Sequence, residues 1–492
     1  MAARTCTTFQ GPALDHLWSS TDLFRLLTRC MPSDLWAVDD VTRDWTKKTR
    51  MRLLRPVRAS DWDRLRSYAR RVRHLSSTSN AAILTDVFPT LSVSLPKMLF
   101  PNLHSLTWRH YGADFHYINL FLHPTVTKIV FRVSSDSEAS ILSALAADCP
   151  NLADISIETL AYYAKCVSDF VRGLPCARKI SAHSLDGDVL EHLSHLSSLQ
   201  SLALHQFSSP LTLSSANTGT TFTALRNLTL SYPDITDTTQ FLGLFKDVPL
   251  HTANIDFDEF VTAAEIHDLY AALSAGLSHS SFRDLSMEVS CPDESEADLH
   301  LYLIPPRSVR LLFCFSGLTS LCLTCPMGFD LDNAAVEELA CAWPQIETLQ
   351  LSGLYPRHAP RATLACLQSF SRHCPRLCVL TFAIDATATP SVPVHPGTRL
   401  VQQHTLQKLD IVRSPLGSST PISVARFLSA LFPRLERIRT EREWDENDDE
   451  DELLEHGDAI RLHRRWKEVQ ALLPDVLAIR EEGRLLAQEP SN

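Results

Sequence analysis

A repeating α/β fold, made of short parallel strands each followed by a helix, is predicted by three features of this 492-residue sequence. First, a hexad with large apolar residues at positions 1, 4 and 6 recurs at residues 199–204 (LQSLAL), 225–230 (LRNLTL), 318–323 (LTSLCL) and 346–351 (IETLQL). In an extended chain positions 4 and 6 leave one face and position 5 the other, so each hexad is a strand with one apolar side. Second, the position-4 residue returns fourteen times, as Leu75, Leu106, Ile129, Ile155, Ile180, Leu202, Leu228, Ile255, Leu285, Leu321, Leu349, Leu380, Leu409 and Ile438. The mean step is about 28 residues, at the upper end of the leucine-rich-repeat range. Third, segments with apolar residues three and four apart fill the intervals. One such strand cannot bury its apolar face, but a stack can. The expectation is a leucine-rich-repeat solenoid, a horseshoe of about 14 irregular units with strands inside, helices outside and helical caps at both ends.

The elements follow in order. Residues 13–18 place Leu14, Leu17 and Trp18 on one helical side, and residues 21–30 read as an amphipathic helix. A basic stretch over 42–58 leads to a helix ending near Arg71, with Ser60 or Asp61 as its cap. Between the strands, helices are predicted over SEASILSALAADC, GDVLEHLSHL (beginning at Asp186), ITDTTQFLGLF, TAAEIHDLYAALSAGL, NAAVEELACAW and TPISVARFLSALF. Several units open on a proline that stops the preceding helix, as in CPNLADISI, WPQIETLQL and CPRLCVLTF. The Asn or Cys ladder usual three residues past position 6 is missing, with Leu185, Phe207 and Pro233 in that place, so the turn must be satisfied in another way. Residues 292–298 (PDESEAD) and 387–396 break the period and are expected at a rim. An acidic run over 441–452 is expected to be disordered, and a helix with a break at Pro474 caps the last unit.

Composition excludes several functions. A net charge of −11 argues against a general nucleic-acid binder, which needs excess Lys and Arg on one face. Thirteen Cys with no signal peptide suggest reduced thiols in the cytoplasm or nucleus. The uncharged stretch 311–329 has membrane-span length, but it contains Pro326 and repeat-phase leucines, so a buried unit is expected and no membrane contact. With 14 Gly there is no phosphate-binding loop, and no G-x-S-x-G elbow occurs. Cys322 and Cys325 form one pair without a second at metal spacing, and His251, His267 and His279 are too far apart to argue a cluster. No catalytic, cofactor or metal residues are assigned, and the expectation is a non-enzyme.

The recognition surface is expected on the inner sheet, at positions 3 and 5 and the residue after position 6. These are Ser105, Thr107, Arg109; Lys128, Val130, Arg132; Asp154, Ser156, Glu158; and Lys179, Ser181, His183. Further along come Asn254, Asp256, Asp258 and Asp284, Ser286, Glu288, then Lys408, Arg437 and Arg439. With strands about 4.8 Å apart, Asp256, Asp258, Asp284 and Glu288 are expected to share one acidic patch, which is either the ordinary charge of a solvent-facing strand or a recognition surface suited to a basic protein segment.

The segments ARTCTTFQGPALDHLW, LLTRCMPSDLW and SDWDRLRSYARRVRHL resemble those around and just after the F-box of fungal F-box proteins with leucine-rich repeats. HRRWKEVQALLPDVLAIREEGR is similar to the tail of the same family. The resemblance implies residues 1–18 as the end of an F-box; helical spacing, the repeat period and charge divide the rest into a helical linker or cap over 19–71, the solenoid over 72–440, the acidic segment over 441–452 and the C-terminal helical cap over 453–492. It also implies substrate recognition for a cullin-type ubiquitin ligase, with a protein substrate as partner. In that family the F-box docks on the ligase adaptor; here only its last part, near residues 3–18, is expected. Adaptor binding therefore requires an F-box upstream. The alternative is a stand-alone repeat scaffold or inhibitor without ligase coupling.

Overall fold

The computed structural model describes residues 7–43, 46–79, 84–95, 99–207, 222–259, 261–290, 299–354, 358–390, 401–412, 414–417, 420–440 and 457–488. The chain divides into two compact units, residues 1–217 with 222–225, and residues 218–221 with 226–492. The described strands of the first are β1 (Ser20–Asp22), β2 (Trp36–Arg43), β3 (Thr46–Leu53), β4 (His74–Thr78), β5 (Ser105–Arg109), β6 (Lys128–Val133), β7 (Asp154–Thr159), β8 (Lys179–Ala182) and β9 (Ser201–Leu204). Those of the second are β10 (Asn227–Ser231), β11 (Thr252–Phe257), β12 (Asp284–Val289), β13 (Ser320–Cys325), β14 (Thr348–Gly353), β15 (Val379–Phe382), β16 (Lys408–Asp410) and β17 (Arg437–Arg439). In each unit the strands pair in parallel in chain order, except for the antiparallel hairpin β2–β3. Both are leucine-rich-repeat stacks, and each of the fourteen position-4 residues falls in one of β4 to β17.

Register repeats because the same backbone bond recurs at each strand entry. The carbonyl just before one strand accepts the first two amides of the next unit. Ala153 O takes Arg178 N at 2.7 Å and Lys179 N at 2.9 Å; His251 O takes Arg283 N at 2.9 Å and Asp284 N at 3.0 Å. Side chains at positions 4 and 6 then stack within the core, where Leu199, Leu202 and Leu204 are almost wholly buried. Each such leucine contributes about 2 kcal/mol of burial. Helices cover this face. Ala263–Gly276 starts with a capping box, in which Glu265 N donates to Thr262 Oγ1 at 3.3 Å and Thr262 N to Glu265 Oε2 at 2.8 Å. The prolines act as the sequence suggests: Cys149, Trp343 and Cys374 are helix C-caps, each followed by proline.

In place of an asparagine ladder, single side chains hold the turns after the strands. Ser168 Oγ accepts from Asp186 N at 3.0 Å, and Ser414 Oγ from Ile384 N at 2.8 Å. Fully buried Glu138 accepts from Gly112 N at 2.6 Å and Ser134 N at 2.5 Å. A buried carboxylate is tolerable only with such charge-assisted bonds.

In the first unit β1 pairs with β4, one strand ahead of the first predicted, and the helix Leu23–Cys30 packs its apolar side inward. Asp61 does not cap the helix Trp62–Ala69 with its side chain; that carboxylate instead takes Arg58 N at 2.8 Å and both Arg55 amino groups, at 2.7 and 3.0 Å. In the second unit the helix Gly457–Gln488 runs through Pro474 without the expected break, its flank packed on the helix Pro421–Leu431. Trp466, Val469 and Leu473 are buried there, and Trp466 Nε1 donates to Ser414 O at 3.0 Å. No described helix is long and apolar enough to cross a membrane, and residues 311–329 divide between a 3-10 turn and β13. The acidic run 441–452 and the insert 292–298 lie outside the described residues, as does most of 387–396.

Candidate protein-binding face

Strand alternation sends positions 3, 5 and 7 to the face opposite the buried leucines, so parallel register turns them into three lateral rows. In the first unit the position-3 row holds Ser105, Lys128, Asp154, Lys179 and Ser201. The position-5 row is Thr107, Val130, Ser156, Ser181 and Ala203, small and uncharged. The position-7 row begins Arg109, Arg132 and Glu158 and continues with His183 and His205 just past β8 and β9. Charges thus flank a neutral central strip. They also compensate one another: Asp154 lies between Lys128 and Lys179, and Arg109 forms an ion pair with Glu158. The Arg132 guanidinium lies 5.5 Å from the Tyr111 ring centre. His183 and His205 stack at 5.7 Å, and desolvation, then the neighbouring His205, lowers the His183 pKa.

The second unit corrects the acidic patch. Ile255 pairs with Leu230 and Met287, which are position-6 residues, whereas Ala253 pairs with Leu228 and Leu285. The outward set of β11 is therefore Thr252, Asn254 and Asp256, two residues earlier than the hexad reading, because position 4 here is an alanine. Asp256 stands directly beside Glu288 on β12. Asp258 is exposed just past the end of β11, and Asp284 sits four residues before Glu288, about 13 Å along the strand. Asp284 also accepts a 3.0 Å bond from Thr319 Oγ1. Two of the four acids are neighbours, Asp258 extends that pair, and Asp284 belongs to the opposite edge.

The extended group gathers residues that strand reading passed over. Glu259 has its pKa raised by desolvation and then by Asp234, Asp258 and Glu265, so these carboxylates share one field. Burial alone raises Asp256. Asp234 and Glu265 were hidden by their local roles, as caps of the helices Ile235–Gly243 and Ala263–Gly276. At the far edge Lys408 pairs in register with Arg437, and Asp410 with Arg439. Burial raises the Asp410 pKa against the opposing effects of Val412 N and Arg439.

Cys322 faces outward, while Cys325, three residues on, lies in the core with its thiol pushed up to about 12 by burial, so the two cannot share an ion. His267 and His279 bond separately, to Ser308 at 3.1 Å and Ser274 O at 2.8 Å. A cleft of about 40 Å³ past the ends of β13 to β15, lined by Phe329, Gly353, His358 and Phe382, holds a few waters at most.

No family model matches the chain, and no curated protein does. Among solved structures, it is similar to a chain in the crystal structure of the Rad7 and Elc1 complex in yeast. Identity is 11%, the match covers 69% of this chain and 76% of that one, and the TM-score is 0.36.

Proposed function

We propose that this chain is a non-enzymatic protein-binding module that recognises a substrate for a cullin-type ubiquitin ligase, in the cytoplasm or nucleus. The observation that carries the binding role is the row geometry. Parallel register sets an uncharged central strip between two rows of charge in the first unit, and a carboxylate group beside β11 and β12 in the second. Such a surface offers extended contact and electrostatic complementarity to a protein chain. The ligase role rests on the F-box-like segments of the N-terminal region and the similar C-terminal tail. Because adaptor docking needs an F-box upstream of residues 1–18, the test uses the tagged product of a transcript that carries one: co-purification of cullin and adaptor subunits is the expected result, and a stoichiometric partner with neither subunit replaces the ligase reading with a stand-alone scaffold or inhibitor.

A further inference from the structure

Glu337 and Cys341 lie one turn apart on the helix Asn333–Ala342, and His373 ends the helix Leu367–His373 of the following repeat. An i, i+4 spacing places the first two on one helix face, and the helices of these consecutive repeats pack together. One ligand atom from each of the three side chains lies within 4.8 Å of the other two. His373 Nε2 is 2.9 Å from Glu337 Oε1. The carboxylate, which also takes a hydrogen bond from the Ser369 side chain, and the imidazole are partly exposed and Cys341 is an exposed residue, so the group lies at the surface. Neighbouring Cys374 is buried, its thiol directed to Ala340 O at 3.5 Å, so it stays outside the group.

We propose that Glu337, Cys341 and His373 form a zinc site that clamps two consecutive repeats on their helical side, with the fourth position open to water or to a partner's side chain. Thiolate, imidazole and carboxylate together match zinc and disfavour magnesium or calcium, which take oxygen ligands. Tetrahedral bonds of about 2.0–2.3 Å set ligand atoms roughly 3.3–3.5 Å apart. The His373–Glu337 pair therefore opens by a few tenths of an ångström, and the thiol approaches by a small side-chain rotation. Cys341 gives up its proton to solvent as the sulfur–zinc bond forms.

The test uses the reduced full chain, stripped with a chelator and titrated with cobalt(II) alone. One equivalent is expected to give a sulfur-to-cobalt charge-transfer band that zinc removes and excess magnesium leaves. Cys341→Ser abolishes the band, Glu337→Gln and His373→Ala each weaken binding at least ten-fold, and Cys166→Ser, at another exposed cysteine, changes nothing. Circular dichroism identifies variants that fail to fold, and Glu337→Gln stands in for His373→Ala if that one does. A band that survives Cys341→Ser, or no saturable binding by the folded wild-type chain, overturns the site.

Discussion

Gln470 stands in for the strand that would follow β17. Its Nε2 donates to Glu436 O at 3.1 Å, and its Oε1 accepts from the Ile438 amide. One side-chain amide thereby satisfies both a donor and an acceptor at a sheet edge that would otherwise offer them to another chain. Arg480 adds 2.8 Å bonds to Ser429 Oγ and Arg426 O along the same helix.

Gln470→Ala is expected to cost about 1–2 kcal/mol. In a solenoid, neighbours stabilise neighbours, so the loss is local. Amide exchange should quicken at residues 437–439 well before it changes at β10 or β11. Gln470→Glu keeps the acceptor for Ile438 and loses the donor to Glu436, which predicts an intermediate effect.

In the first unit, Arg55 holds Asp61 in a two-bond fork and also meets Asp34 at 2.8 Å. The Arg55 guanidinium, followed by Arg58 N, holds the Asp61 carboxyl down at about 2. A depressed carboxylate stabilises the fold above its ordinary value of 3.8, and that stability is lost as pH falls toward about 2. Arg55→Ala leaves the Asp61 carboxylate without its guanidinium fork and is expected to lower stability at pH 7. Denaturant melts from pH 5 to 2 should show a shallower acid-side decline in the variant than in the wild type.

Asp256 has the opposite sign. Burial raises its pKa, so the folded protein favours the protonated form and loses stability as pH rises through the folded value. Asp256→Asn is expected to melt at a higher temperature than wild type at pH 7, with the difference vanishing below pH 3.8. A lower melting temperature for the variant at pH 7 would contradict this account of the site.

Much of this architecture was legible because burying one strand face forces a two-residue alternation and a fixed return. Leu202, Leu228 and Leu321 announce their strands by size and spacing. Ala253 does not: it is fully buried at position 4 but small, and Ile255 two residues later drew the frame with it. The hairpin β2–β3 was hidden because Lys47, Lys48, Arg50 and Arg52 mix charge into the alternation, leaving no continuous apolar face. The acidic group near Asp256 was half visible. Its strand members followed from the period, but Glu259, Asp234 and Glu265 join through loop and cap geometry that no linear pattern carries. His373 meets Glu337 only because one repeat stacks on the next.

The central claim is that the solvent-facing side of the sheet captures a protein, and that the acidic group around Asp256 attracts a basic segment of it. Its most direct measurement is capture of the native partner by the double variant Asp256→Lys, Glu288→Lys, with folding verified by thermal melting, beside Asp284→Lys as a control at the opposite edge. The account predicts at least ten-fold weaker capture by the double variant, a loss that shrinks at high salt, and near wild-type capture by Asp284→Lys. Undiminished capture by the folded double variant would contradict it.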